Sequence, residues 1–192
     1  MKILNVTLGA LIIASVLAAN PVMAENSLHR EAHLPFVIED NRAQAPFGQD
    51  MPSLIRHYVR AAPGVGTSGM ISEGGMEAFA EHGFKTVVGL LTRSEGAEVH
   101  SGWAMNADIA YHALPVTDEV PGETAVKQFR QIVADPDNYP VMVYGAGNHR
   151  VGALWARYRM AMGVPVEVAL QEGRTLGLAP AMEERLRHAS DH

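Results

Sequence analysis

This sequence predicts an α/β fold: one three-layer domain, with a central, mostly parallel sheet of four or five strands and helices on both faces. Three observations carry that expectation. Short apolar runs alternate with segments whose apolar residues recur at helical spacing, the pattern of strands joined by crossover helices. The run 84–91 holds Val87, Val88, Leu90 and Leu91 with hardly a polar break, as expected of a parallel strand buried on both faces. The apolar run Val141–Val143 gives way to a small-residue loop, then Arg150, then a helical pattern.

The first 24 residues stand apart. Lys2 precedes a mostly apolar run from Leu8 to Ala19, and Val22, Met23 and Ala24 suit a signal peptidase. This reads as a secretory signal cut after Ala24. The run falls short of the ~20 apolar residues a spanning helix needs. A periplasmic or secreted protein is expected, with no membrane span after cleavage. Residues 25–50 are polar, carry Pro35 and Pro46 and show no sustained period, so they read as a flexible N-terminal arm. Residues 51–192 make the folded domain, a length that suits a single core.

Within that domain the elements follow in order. Leu54–Val59 is expected as a first strand, the Pro63-Gly64 pair as a turn, and Val65–Ser68 as a short second strand. Ser72 is a candidate N-cap for a helix over 73–82, with Met76, Phe79 and Ala80 inward and Gly83 ending it. After the 84–91 strand comes a polar stretch with a helix from Ser94, where Glu95 and Glu98 suit the first turn. Ile109–Val116 is the next strand, and a loop carries Asp118, Glu119 and Glu123. A helix over 123–134 turns Val126, Phe129, Ile132 and Val133 inward. The strand and loop at 141–150 lead into a helix over 149–162. Pro165 opens another helix, with Val168 and Ala169 inside, and a last one covers 180–188.

Composition narrows the chemistry. The formal charge is −6, or −7 once Lys2 leaves with the signal. An acidic balance argues against nucleic acid and against an anionic membrane surface. There is no cysteine. An exported chain without cysteine holds its fold without disulfides, and it has no thiol nucleophile. No cofactor is implied.

The loop Gly145-Ala146-Gly147-Asn148-His149-Arg150 has the makings of an anion site. At the carboxyl end of a strand, backbone N–H groups and a helix N-terminus converge, and an arginine can grip an oxyanion with two parallel hydrogen bonds. The alternative for Arg150 is a structural role, bonding loop carbonyls or a surface carboxylate.

The stretch from Val141 to Tyr158 resembles the signature of the cysteine-dependent protein tyrosine and dual-specificity phosphatases. The likeness is closest to the small bacterial branch that includes the domain beside beta-lactamase-like hydrolases. That signature is a strand, His-Cys, five residues, Arg and a helix; here the five are Gly145 to His149 and the Arg is Arg150. Gly66–Ser72, Gly83–Leu90 and Leu114–Asp118 resemble further landmarks of the family, so the likeness spans roughly residues 54 to 180. The resemblance implies that Asp118 stands at the general-acid position, and that Tyr144 stands where the family carries its nucleophilic cysteine, after Val143 in place of histidine. Tyrosine, with an ordinary pKa of ~10, does not replace a low-pKa thiolate.

Three readings follow. In the first, the chain is a pseudophosphatase whose loop 144–150 binds a phosphate-like anion, a phosphorylated ligand or a protein partner. In the second, it is a phosphoric-ester hydrolase with altered chemistry, using Asp118 as acid and His149 or Tyr144 as nucleophile. In the third, it is a periplasmic metal binder drawing on His29, His33, His100, His112, His188 and His192. The histidine spacings of four suit a metal, yet a site needs three or four converging ligands.

Overall fold

The computed structural model describes residues 43–190. The expected signal and most of the expected arm lie outside the described residues, as do His29, His33 and His192.

Five strands form one sheet: β1 (Val59–Ala62), β2 (Val65–Ser68), β3 (Thr86–Gly89), β4 (Ala110–Ala113) and β5 (Val141–Tyr144), in the order β1-β2-β5-β3-β4. Only β1 runs antiparallel, pairing with β2; the others pair in parallel. Among the described residues six α-helices accompany them: α1 (Gly75–Glu81), α2 (Ala97–Asn106), α3 (Glu123–Ala134), α4 (Asn148–Ala161), α5 (Val166–Thr175) and α6 (Pro180–Ser190). The α/β expectation, with a mostly parallel sheet and helices on both faces, holds.

Side-chain alternation divides the core. Along β5, Val141 and Val143 pack with Val126, Phe129, Val151 and Leu154 of α3 and α4, whereas Met142 and Tyr144 face Met76, Phe79 and Ala104 of α1 and α2. A third cluster, including Ala153, Leu170, Met182 and Leu186, fixes α5 and α6 to α4. Each such fully buried leucine contributes about 1.5–3 kcal/mol of transfer free energy.

Several boundaries differ from expectation, each for a local reason. The first strand is not Leu54–Val59 but Val59–Ala62. His57 takes a left-handed φ of 56°, which breaks an extended backbone, although Ile55 is still buried. Ser72 is not the cap of α1; Gly74 is, with φ 86°, and the Ser72 carbonyl accepts from Gly75 N–H. Gly83 does end α1, with φ 83°, a conformation glycine adopts without strain. The helix expected from Ser94 is a 3-10 turn, Arg93–Glu95, then Gly96 at φ 92°, then α2. Ala169 is buried as expected, but Val168 is exposed and Leu170 is buried in its place, because the inward face of α5 is set by contact with α4.

Residues just before the expected domain boundary are tied down. Ala45 is buried and donates to Pro63 O, Tyr58 Oη donates to Pro46 O, and the Arg60 guanidinium lies over Phe47, 4.5 Å from the ring centroid.

Candidate anion site

Parallel register gathers the strand ends at one edge. Tyr144 of β5 lies level with Ser68 of β2 and with Gly89 of β3, and Gly89 with Ala113 of β4. The segments leaving β3, β4 and β5 therefore meet, carrying Glu95, Asp118 and Arg150.

The loop after β5 turns into α4 with Gly147 as N-cap in an extended conformation. Arg150 N–H bonds back to Gly147 O at 3.2 Å. The first N–H groups of any helix lack intrahelical acceptors, so this end is suited to negative charge. Close approaches fix the turn. The ring of His149 folds over Gly147, where an added Cβ would lie 2.5 Å from Cε1. Asn148 is wedged between Gly69 and Gly177, whose added Cβ atoms would fall 2.6 and 2.5 Å from it.

Arg150 is buried, 7% exposed, and its guanidinium already holds two carboxylates. Nε donates to Asp118 Oδ1 at 2.7 Å and Nη1 to Glu95 Oε2 at 2.8 Å. His149 Nε2 lies 2.7 Å from the same Asp118 oxygen. Hydrogen bonds from Arg150, then from His149, hold the Asp118 carboxyl at a pKa of about 2. The bond from Arg150, aided by Thr92, brings Glu95 to about 2 as well. The two acids push Arg150 upward in turn, Glu95 most. Asp118 is thus a carboxylate at neutral pH.

The two acids are held differently. Glu95 sits in a capping box, accepting from Thr92 N–H and Thr92 Oγ1, both at 2.9 Å, and its side chain is 25% exposed. Asp118 stands on a loop with its side chain 67% exposed. Beside the loop an open depression of about 560 Å3 is lined by Arg56, His57, Met70, Ala146, Asn148 and His149, among others.

Tyr144 is elsewhere. It is 0% exposed. Its hydroxyl lies 2.8 Å from His100 Nδ1 and 3.2 Å from Tyr111 Oη, and its ring stacks on His100 with centroids 5.6 Å apart. Burial pushes the Tyr144 phenol well above its ordinary value, with Tyr111 adding to the shift, and it lowers His100.

The structure therefore brings Asp118, His149 and Arg150 together at the loop 145–150 and sends Tyr144 into the core. Sequence reasoning missed Glu95 as the second partner of Arg150; the Thr92-x-x-Glu95 capping pattern was the signal that could have found it. His100 as the partner of Tyr144 carried no local signal. The described histidines proposed for a metal, His100, His112 and His188, lie on α2, β4 and α6. Among the described residues no group of three or more histidines and acids is placed to hold a metal, and no helix is long and apolar enough to cross a membrane.

Comparison with known proteins adds the following. Residues 64–187 match the family model described as DSP-PTPase phosphatase fused to NAD+ kinase. None of the curated proteins compared matches the chain. Among solved structures, TpbA of P. aeruginosa, in complex with phosphotyrosine, is 24% identical with a TM-score of 0.54, over 81% of this chain and 90% of that one. The core catalytic domain of the PP-IP phosphatase SIW14 from S. cerevisiae, in complex with citrate, is 12% identical with a TM-score of 0.56, over 69% and 85%. Tk-PTP in its active form is 16% identical with a TM-score of 0.60, over 69% and 95%. At these identities the likeness is one of fold.

Proposed function

The chain belongs to the family of DSP-PTPase phosphatases fused to NAD+ kinase, and from that premise we propose that it is an exported pseudophosphatase. In this reading its loop 145–150 binds a phosphate-like oxyanion or a phosphorylated ligand without turning it over. The observation that carries the reading is the separation of the two halves of the site. Arg150 is poised at the loop with oxygen ligands on it, while the hydroxyl of Tyr144, at the position where the resemblance expects the nucleophile, is enclosed in the core. No cysteine exists to supply a thiolate.

The difference between the two acids suggests how a ligand enters. Glu95 orients the guanidinium from a fixed turn. Asp118 is the exchangeable partner, and an incoming dianion takes its place on Nε, joined by the amides at the start of α4. Arg56, which also lines the depression, adds positive charge along the approach. That solved relatives hold citrate or phosphotyrosine is consistent with such a ligand. Export rests on the sequence of residues 1–24. The altered-hydrolase reading is disfavoured by an Asp118 held near 2 and a Tyr144 phenol pushed upward, since neither is in the protonation state that it would need.

The test is calorimetric titration of the purified protein with phosphate and then tungstate, beside an aryl-phosphate assay. Saturable binding that Arg150→Ala abolishes, and that Asp118→Asn strengthens several-fold by removing the competing carboxylate, is expected, with no turnover. Absence of binding in both the wild type and Asp118→Asn would refute the proposal. Wild-type turnover that is lost in Asp118→Asn or His149→Ala would establish the hydrolase instead.

A further inference from the structure

Near the carboxyl-terminal end of α4, a second cavity is lined by charged residues separate from the loop 145–150. It has a volume of about 520 Å3 and lies between α3, α4 and the end of α6, within the range of small-molecule sites. Its apolar lining includes Val126, Met160 and Val164. The lining also includes Lys127 and Arg130, three residues apart on α3, and Arg157 on α4.

Among the described residues, none of these three cations forms an ion pair or a side-chain hydrogen bond; the ion pairs present involve other residues. Among the described residues Glu123 is the one acid lining the cavity, and it too pairs with none of them. The Arg157 Nε–H is buried with no hydrogen-bond partner. A buried donor left unmade costs about 1–3 kcal/mol, so this one is better satisfied by a bound acceptor. The concentration of positive charge is notable on a chain with a net formal charge of −6.

We propose that this cavity is a binding site for a small organic anion with an apolar body, whose acidic group is held by Arg157, Arg130 and Lys127 and whose body covers Val126, Met160 and Val164. The apolar floor distinguishes it from an inorganic phosphate site. The concave shape and small volume suit a small molecule rather than a nucleic acid or protein surface. It is independent of the anion loop and stands whether or not that loop binds a ligand.

The test uses 1-anilinonaphthalene-8-sulfonate as the probe, followed by fluorescence titration, with the uncharged N-phenyl-1-naphthylamine as its control and dodecanoate as a competitor. Saturable sulfonate binding is expected. It should weaken roughly ten- to a hundredfold in Arg157→Gln, the range expected for loss of a charged hydrogen bond. It should weaken in Arg130→Gln and in high salt, yield to dodecanoate, exceed binding of the uncharged analogue, and persist in Arg150→Ala. Circular dichroism checks that each variant is folded. Equal binding by folded Arg157→Gln and Arg130→Gln, or loss of binding in Arg150→Ala, would overturn the assignment. So would the absence of saturable binding.

Discussion

Tyr144 is held in the core by both its ring and its hydroxyl. Its ring is packed with Phe79 and His100, and its hydroxyl has two partners, His100 and Tyr111. Burial lowers the pKa of His100, so the neutral imidazole accepts and the phenol donates. Tyr144→Phe keeps the ring and removes the bond, leaving buried His100 Nδ1 without its partner. Equilibrium urea unfolding should show a loss of about 1–3 kcal/mol. Unchanged stability would mean that the Tyr144–His100 bond contributes nothing. Phosphate binding at Arg150 should survive the substitution, because Tyr144 makes none of the bonds to Arg150, Glu95 or Asp118.

Among the elements, α4 does two things at once: its first turn completes the loop 145–150, and its body is the spine against which α5 and α6 pack. The α4–α5 crossing depends on the absence of side chains at two points. A Cβ on Gly152 would lie 2.6 Å from Gly173 O and 2.6 Å from Leu178 N, and one on Gly173 would lie 2.9 Å from Gly152 O. These are backbone atoms, which a rotamer change cannot move aside. Gly152→Ala should therefore separate the helices and destabilise the fold by about 1–3 kcal/mol, despite alanine's better helix propensity. Thermal or chemical unfolding of the variant measures this, and a neutral or stabilising result would show that the two helices have room to spare. Because Gly152 lies two residues beyond Arg150, the same variant should also weaken tungstate binding.

At the scale of the whole molecule, the Glu95–Arg150–Asp118–His149 cluster ties together the segments that follow β3, β4 and β5. It makes stability depend on pH in a definite sense. Both carboxyls are depressed in the folded state, to about 2, from ordinary values of 4.5 and 3.8. A depressed acid stabilises fully above its unfolded pKa and loses that contribution as pH falls through the folded one. The stability difference between wild type and the Glu95→Gln, Asp118→Asn double variant should thus be constant above about pH 5 and shrink between about pH 4.5 and 2. Denaturant titrations across that range measure it, and a difference independent of pH would contradict the shifts. What the sequence determined by itself was the alternation of elements and the position of the loop 145–150 between β5 and α4. The Val141–Val143 run, the small residues after it and the spacing to Arg150 are local signals, and β5, α3 and α4 lie almost where periodicity placed them. It misplaced β1, because an apolar stretch around Ile55 does not disclose that His57 turns left-handed. The tertiary structure alone decided what Arg150 and Tyr144 touch. Glu95 is 55 residues from Arg150 and His100 is 44 from Tyr144. Hydrogen bonds across such separations depend on which strands become neighbours in the sheet and which face each side chain takes, and a window of sequence carries information about neither.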